Sequence, residues 1–288
     1  MLNHSMLQPW EHFLRQLADC ERRYLEGLSG TWIQSPPNDC VDWRCCDHFL
    51  GYVPVDRATH IFESLSQCRL EGYHLNWDTS SWTSAQRSGA LQEMLVQHRE
   101  QGLITGWRNE KFSFWTHACE IPDPDVPHVF SVERAGFRYL GMMSHAVHIN
   151  GFLPDGRIWC GRRSVDKATD PGLLDNVAAG GLPTGETCLS CALRELREEA
   201  GVVNFDKTDL ADAGFIRTSR MESEGWHDES LRVYNLVLTQ DFQPINQDGE
   251  VDEFLCLHPS DVVELIREGK FTLDATASLL QGIGLNRS

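Results

Sequence analysis

The sequence contains no run of 18 apolar residues, so nothing in it reads as a membrane span. Its first 28 residues lack the basic start and the compact apolar stretch of a secretory leader. No internal repeat or low-complexity tract interrupts it. The ten cysteines are scattered and never form two CxxC units at zinc-ribbon spacing. Without a leader, reduced thiols and a cytoplasmic location are the expectation. Basic residues are also scarce: 25 Lys and Arg stand against 42 Asp and Glu, a formal charge of −17. That deficit argues against nucleic-acid binding, which rests on cations neutralising phosphates, and against a polybasic membrane contact. The acidic excess is then either plain solubility charge or carboxylates gathered around a metal, and only a motif separates the two.

What is present is a chain of 288 residues, long enough for one large domain or two ordinary ones, each with a real core. Seven of the nine tryptophans precede residue 120. The run Ile121-Pro-Asp-Pro-Asp-Val-Pro127 reads as a stiff extended connector. Together these place a division near residue 136. Residues 1–136 form an N-terminal α+β accessory domain, and residues 137–288 form a second domain. In the first, apolar residues at helical spacing predict helices over 9–28 and 84–100, followed by a strand over 112–118. In the second, strands over 146–152 and 157–161 flank the turn Pro154-Asp-Gly156. A helix over 187–200, strands near 213–219, 230–238 and 254–257, and a helix opened by Pro259-Ser260 complete the pattern. Strands on both sides of one helix predict an α/β sandwich on a mixed sheet.

The chemistry concentrates between Gly180 and Val202, GGLPTGETCLSCALRELREEAGV. Gly180, Gly181, Pro183 and Gly185 make a loop ahead of a helix that Thr184 or Thr187 can cap and Gly201 can end. On that helix Leu189, Leu193, Leu196 and Ala200 form the expected buried stripe. Glu195, Glu198 and Glu199 stand at i, i+3 and i+4 on a different face. Three crowded carboxylates repel one another near a helix C-terminus, where the dipole also disfavours anions, and Arg194 relieves only part of this. Divalent cations would neutralise the cluster, and all-oxygen ligation suits Mg²⁺ or Mn²⁺. Cys188 and Cys191 form a CxxC inside the helix, without a thioredoxin-like context, and read as packing residues.

The spacing Gly180, Glu186, Arg194-Glu195-Leu196, Glu198-Glu199, Gly201-Val202 matches GX5EX7REUXEEXGU at every specified position. The second half therefore resembles the Nudix hydrolases, which cleave a nucleoside diphosphate linked to another moiety, or related organic pyrophosphates. The resemblance implies an α/β/α sandwich with a mixed sheet. It implies that Glu195, Glu198 and Glu199 are metal ligands, helped by the carbonyl of Gly180, and that Arg194 and Glu186 orient them. It also implies a further carboxylate from a loop outside the box. Glu250 is the candidate, with Asp248, Asp252 and Glu253 as neighbours and a turn role as its alternative. The reaction implied is metal-dependent attack of water on a diphosphate, with a carboxylate taking the proton.

Arg162, Arg163 and Lys167 are the densest basic group in the chain and precede the Gly-rich loop, which suits them to a diphosphate. Asn176 either positions substrate or shapes a turn. Trp159 and Trp226 can stack on a ring, a core role being favoured for Trp159, and His145 and His148 read as structural. Gly106–Glu110, Val132–Arg134, His148–Gly151, Arg162–Lys167, Leu174–Gly181 and Asn246–Val251 resemble one Nudix subgroup with an extra N-terminal domain. That subgroup is similar to the Nudix portion fused to thiamine pyrophosphokinase in some fungi, and its members are linked to removal of the oxo and oxy forms of thiamine diphosphate. The partner expected is thus a small-molecule diphosphate. ADP-ribose or another nucleoside diphosphate derivative is the alternative substrate. An isopentenyl diphosphate isomerase would carry a catalytic Cys before Gly180, where this chain has Ala179. A non-catalytic Nudix-like binding module would typically lose box carboxylates, and this chain keeps them. Three roles are open to the N-terminal domain: capping the site, recognising the non-phosphate moiety, or forming a homodimer.

Overall fold

A computed structural model of the chain describes residues 7–116, 122, 125–167, 169–202 and 209–286. The first amphipathic stretch is two helices, α1 (Pro9–Gln16) and α2 (Asp19–Gly27), where the spacing predicts one. Leu17 and Ala18 between them are extended, and the Glu21 carboxylate accepts the Ala18 N–H at 2.7 Å, which restarts the helix. A four-stranded sheet follows, built from β1 (Cys40–Cys45), β2 (His48–Pro54), β3 (Cys68–Glu71) and β4 (His74–Trp77), with α3 (Val55–Ser64) between β2 and β3. Its order is β2-β1-β4-β3, with β1 and β4 parallel. α4 (Ser84–Glu100) lies where predicted. Its N-terminus is a reciprocal cap: Thr83 Oγ1 accepts from the Gln86 N–H, and Gln86 accepts from the Thr83 N–H.

β5 (Lys111–Phe114) and β6 (Phe130–Glu133) pair antiparallel, and α5 (Ala135–Tyr139) leads into the second half. Residues 117 and 118 of the expected strand, and 121, 123 and 124 of the expected connector, lie outside the described residues. The second sheet has at its centre β7 (Met143–Phe152), all ten residues of which are buried. Around it stand β8 (Ile158–Arg163), β9 (Leu174–Asp175), β10 (Ala178–Gly181), then α6 (Cys188–Ala200), β11 (Leu210–Glu222), β12 (Gly225–Val237) and β13 (Val251–Leu257). The order is β11-β12-β7-β8-β13, with β10 on β7 and β9 on β8. β12 runs parallel to β7 and the other pairings are antiparallel, so the sheet is mixed. α7 (Pro259–Arg267) opens on Pro259 as expected, and α8 (Leu273–Gly282) closes the chain.

Both faces of the second sheet are covered, which explains why β7 is buried throughout without alternation, its polar members Ser144, His145, His148 and Asn150 included. Val147 and Ile149 pack towards α6 with Leu196 and Ala200. Ala146 and Phe152 pack the other way, against α7 and α8. Phe13, Leu17, Leu25 and Trp32 join that second cluster, so residues 9–33 lie back over the second half. A separate cluster gathers Trp43, Leu50, Trp77, Leu91, Phe112, Phe130 and Leu140. The fold is thus a mixed-sheet α/β sandwich beside a smaller α+β region with its own sheet. The division at residue 136 remains our proposal for the chain's organisation. No helix among the described residues is long and apolar enough to cross a membrane.

Candidate active site

The box folds as its local signals require. Thr187, not Thr184, caps α6 by accepting the Ser190 N–H at 3.0 Å, and Gly201 ends it in the left-handed region at φ +67°. The buried face differs from the expected stripe. Leu196 and Ala200 are buried, but Leu193 is half-buried and Leu189, in the first turn, is exposed. The inward places are taken by Cys191, Ala192, Glu195 and Glu199. The thiol of Cys191 donates to the Gly181 carbonyl at 3.4 Å.

The three box carboxylates occupy different surroundings. Glu195 and Glu199 are buried, whereas the Glu198 side chain is 47% exposed. Burial raises the Glu195 carboxyl to about 7 against the opposing pull of Arg194. Glu199, more deeply enclosed, is raised well above the ordinary range despite Lys167, and it accepts the Ala179 N–H at 2.8 Å. Arg194 spans the cluster, donating to Glu186 at 3.0 Å, Glu195 at 2.7 Å and Glu198 at 3.1 Å. Gly180 on β10 faces Glu195 so closely that a Cβ there would lie 1.9 Å from Glu195 Oε1.

Glu250 comes to this cluster from the loop before β13. Carboxylate oxygens of Glu199, Asp248 and Glu250 all lie within 4.8 Å of one another. Lys167 bonds Glu250 and stands 3.9 Å from Glu199. Burial pushes the Glu250 carboxyl up, but the Lys167 bond and charge, with Arg108 and Arg134 behind them, hold it below its ordinary value. The donor set fits a hard divalent cation: the oxygens are converged, burial raises two of the carboxyls against the pull of Arg194 and Lys167, and the glycine leaves room beside them.

A cavity of about 420 Å³ opens from this cluster across β7 and β12. Arg163 and Lys167 line it, and Arg163 is braced by Asp175 at 2.8 Å. Arg162 does not line it; it bonds Glu253 at 2.5 Å and the Gly172 carbonyl at 3.1 Å. Asn176 lies behind the wall in a buried network with Asn150, His148 and Ser278. His148, expected to be structural, joins that network and also lines the cavity. His145 packs its ring on Trp115. Trp159 lies in the core beside α6, and Trp226 packs edge-on against Tyr52. Sequence reasoning missed Arg108 and Arg134, which enter the same cavity from the first half, Arg138 on α5, and His227, Glu229 and Asp274 at its other end. Arg108 and Arg134 fall inside two of the flanking segments singled out above, the one available signal for them.

The NUDIX domain model matches residues 145–277. Nudix hydrolase 24, chloroplastic, of Arabidopsis thaliana is 33% identical over 239 residues, which cover 81% of this chain and 64% of the relative. Nudix hydrolase 20, chloroplastic, of the same plant is 34% identical over 188 residues, 64% of this chain and 49% of the relative. This chain therefore spans about half to two thirds of the length of these relatives. Among solved structures, the NUDIX domain of Shewanella oneidensis NrtR complexed with ADP ribose superimposes with a TM-score of 0.39 at 17% identity, covering 48% of this chain and 85% of that one. Residues 145–277 of this chain, which hold the whole Gly180–Val202 box, are a NUDIX domain.

Proposed function

We propose that the chain is a metal-dependent pyrophosphohydrolase cleaving the phosphoanhydride of an organic diphosphate, with the oxo and oxy forms of thiamine diphosphate as its substrates. The observation that carries the reaction is the meeting of five side chains, Glu195, Glu198, Glu250, Arg163 and Lys167, at one cavity. The substrate rests on the resemblance of the flanking segments, including those that bring Arg108 and Arg134 to the site.

Glu195, Glu198, Glu199 and the Gly180 carbonyl would hold Mg²⁺ or Mn²⁺, with Glu250 or Asp248 completing the set. Bound there, the metal supplies charge neutralisation to the diphosphate and acidity to a water. Arg163 and Lys167 bind the diphosphate oxygens, with Arg108 and Arg134 on the opposite wall. Arg194 keeps Glu195 and Glu198 in place through the bonds described. Glu250 takes the proton from water. A diphosphate that draws Lys167 to itself removes the partner that holds Glu250 acidic, and so makes it a stronger base. Water then displaces one phosphate from the other, and catalysis is mostly positioning and electrostatics.

A hydrolysis panel with Mg²⁺ or Mn²⁺ tests this: thiamine diphosphate, its oxo and oxy analogues, ADP-ribose, diadenosine polyphosphates and nucleotide sugars. The oxo and oxy forms should give the highest kcat/KM, with monophosphate as product. Preferential cleavage of ADP-ribose would replace the substrate and keep the reaction. No cleavage of any compound would overturn both in favour of a binding module.

A further inference from the structure

The chemistry proposed above uses one end of the cavity. At the other end His227 and Glu229 on β12 meet Asp274 in the first turn of α8. His227 Nε2 stands 3.6 Å from Glu229 Oε2 and 3.7 Å from Asp274 Oδ2, too far for hydrogen bonds. This nitrogen has no hydrogen-bond partner, although the residue is only 4% exposed. A buried polar atom left unbonded between two acceptors calls for an explanation.

The tautomer of His227 can be derived. Arg138 Nη2 lies 2.8 Å from Nδ1, and a guanidinium only donates, so Nδ1 accepts. Burial keeps the ring neutral, its pKa pushed down to about 3, so the one ring proton sits on Nε2. A protonated Nε2 is no metal ligand. The three groups therefore present an N–H and two carboxylates, and do not form a second cation site.

The surrounding charge points the same way. Glu229 Oε1 is taken by the Ser144 hydroxyl at 2.8 Å, which leaves Oε2 turned towards His227. Asp274 accepts both Nη atoms of Arg220, at 3.0 and 3.1 Å. Arg220 and Arg138 are shared further with Glu222, at 2.6 and 2.9 Å, and Arg138 with Glu224 at 3.3 Å. Asp170 stands 3.9 Å from Arg220. Two guanidiniums here pair with four carboxylates, and Glu229 pairs with neither, whereas Lys167 bonds Glu250 at the box end and Arg108 and Arg134 line the space between. A diphosphate suits the box end better than the His227 end. Glu229 pairs with Ser144 and Gly181 with Ala146, so Glu229 lies two strands across and two residues along from Gly181, roughly 12 Å away by strand spacing and rise.

We propose that Glu229 and Asp274, positioned by His227, bind the organic part of the diphosphate substrate, and that this part is a nitrogen heterocycle bearing N–H donors or positive charge. The proposal rests on the diphosphate reading of the box end. An amino-substituted or cationic ring satisfies both carboxylates as it enters. An alkyl group covers them, strips their remaining water and gives Glu229 Oε2 no donor, which costs affinity.

Titration calorimetry on the full chain, with Ca²⁺ as a non-turnover metal, compares thiamine diphosphate with isopentenyl diphosphate. These share a diphosphate and differ in the cationic aminated ring. Thiamine diphosphate should bind at least about 10-fold more tightly. Glu229→Gln should weaken it about 10-fold or more and change isopentenyl diphosphate by less than about 2-fold. Thermal melting checks that the variant is folded, and Asp274→Asn supplies a second variant with the same expected selectivity. Equal affinity of the two ligands, equal weakening of both by Glu229→Gln, or binding of neither overturns the proposal. So does a loss of one bound Mn²⁺ from His227→Gln, since it would make the cluster a metal site. Selective binding without hydrolysis of any compound would sink the hydrolase reading and leave this subsite standing.

Discussion

A methyl group on Gly180 would land on the Glu195 carboxylate. Gly180→Ala should therefore displace Glu195, lowering turnover by about 100-fold and stability by about 1–3 kcal/mol, read from initial rates and thermal melts. Glu199→Gln separates the roles differently. Glutamine keeps an oxygen for the Ala179 N–H and removes a charge that burial already disfavours. Stability should hold or rise, while Mg²⁺-dependent phosphate release should fall by about 100-fold or more, as it should for Glu198→Gln. Unchanged turnover in both variants would sink the metal assignment. His145 offers a test by pH. Burial holds its ring near a pKa of about 4, against about 6.5 when unfolded, so the unfolded chain binds the extra proton between those values. Its contribution is intact above pH 6.5 and lost as pH falls, by about 2 kcal/mol at pH 5. Denaturant midpoints of wild type and His145→Asn at pH 7.5 and 5.0 should converge by that amount on the acid side. The difference isolates His145, because Glu195, Glu199 and His227 titrate in both proteins and cancel. The box residues were legible because their spacing is local to one helix. Arg108 and Arg134 were not, because they reach Glu250 only through the β5–β6 pairing and the tertiary fold around it.

At the scale of elements, the helices with end signals were the readable ones. α4 carries its reciprocal cap, α6 its Thr187 and Gly201, and α7 its Pro259. Thr187→Ala should cost about 1 kcal/mol and leave the metal response unchanged, which melts with and without Mg²⁺ would show. The four strands β1 to β4 were not readable. Burial along β1 and β2 does not alternate cleanly, and β3 and β4 are four residues each, too short for a period to emerge. The stripe on α6 failed at Leu189 for a related reason. Apolar spacing marks a face, but the site claimed part of that helix for two buried glutamates, and the first turn was left outside. Where a helix serves chemistry, hydrophobic periodicity alone misassigns its inner side.

For the whole molecule, the informative contact is between residues 9–33 and the second half. Phe13 is fully buried beside Phe152, ring centroids 6.0 Å apart. Phe13→Ala should lower stability by about 3–5 kcal/mol and loosen the core shared by α7 and α8, detected as faster amide exchange there. Protection lost only around β1 to β4 would contradict the packing described. The two halves also touch backbone to backbone: a Cβ on Gly141 would lie 1.8 Å from the Tyr52 carbonyl oxygen. Two regions could be foreseen from the sequence in outline, but not that residues 9–33 pack with the later one. That assignment has a consequence in time. Residues 9–33 are synthesised well before α7 and α8, the elements they dock on. At about 5–20 residues per second, Phe13 and Leu25 would wait on the order of ten seconds or more for α7 and α8 to emerge. During translation this chain must therefore keep an amphipathic arm unpaired, open to a chaperone or to a neighbouring nascent copy, until its own partner surface exists.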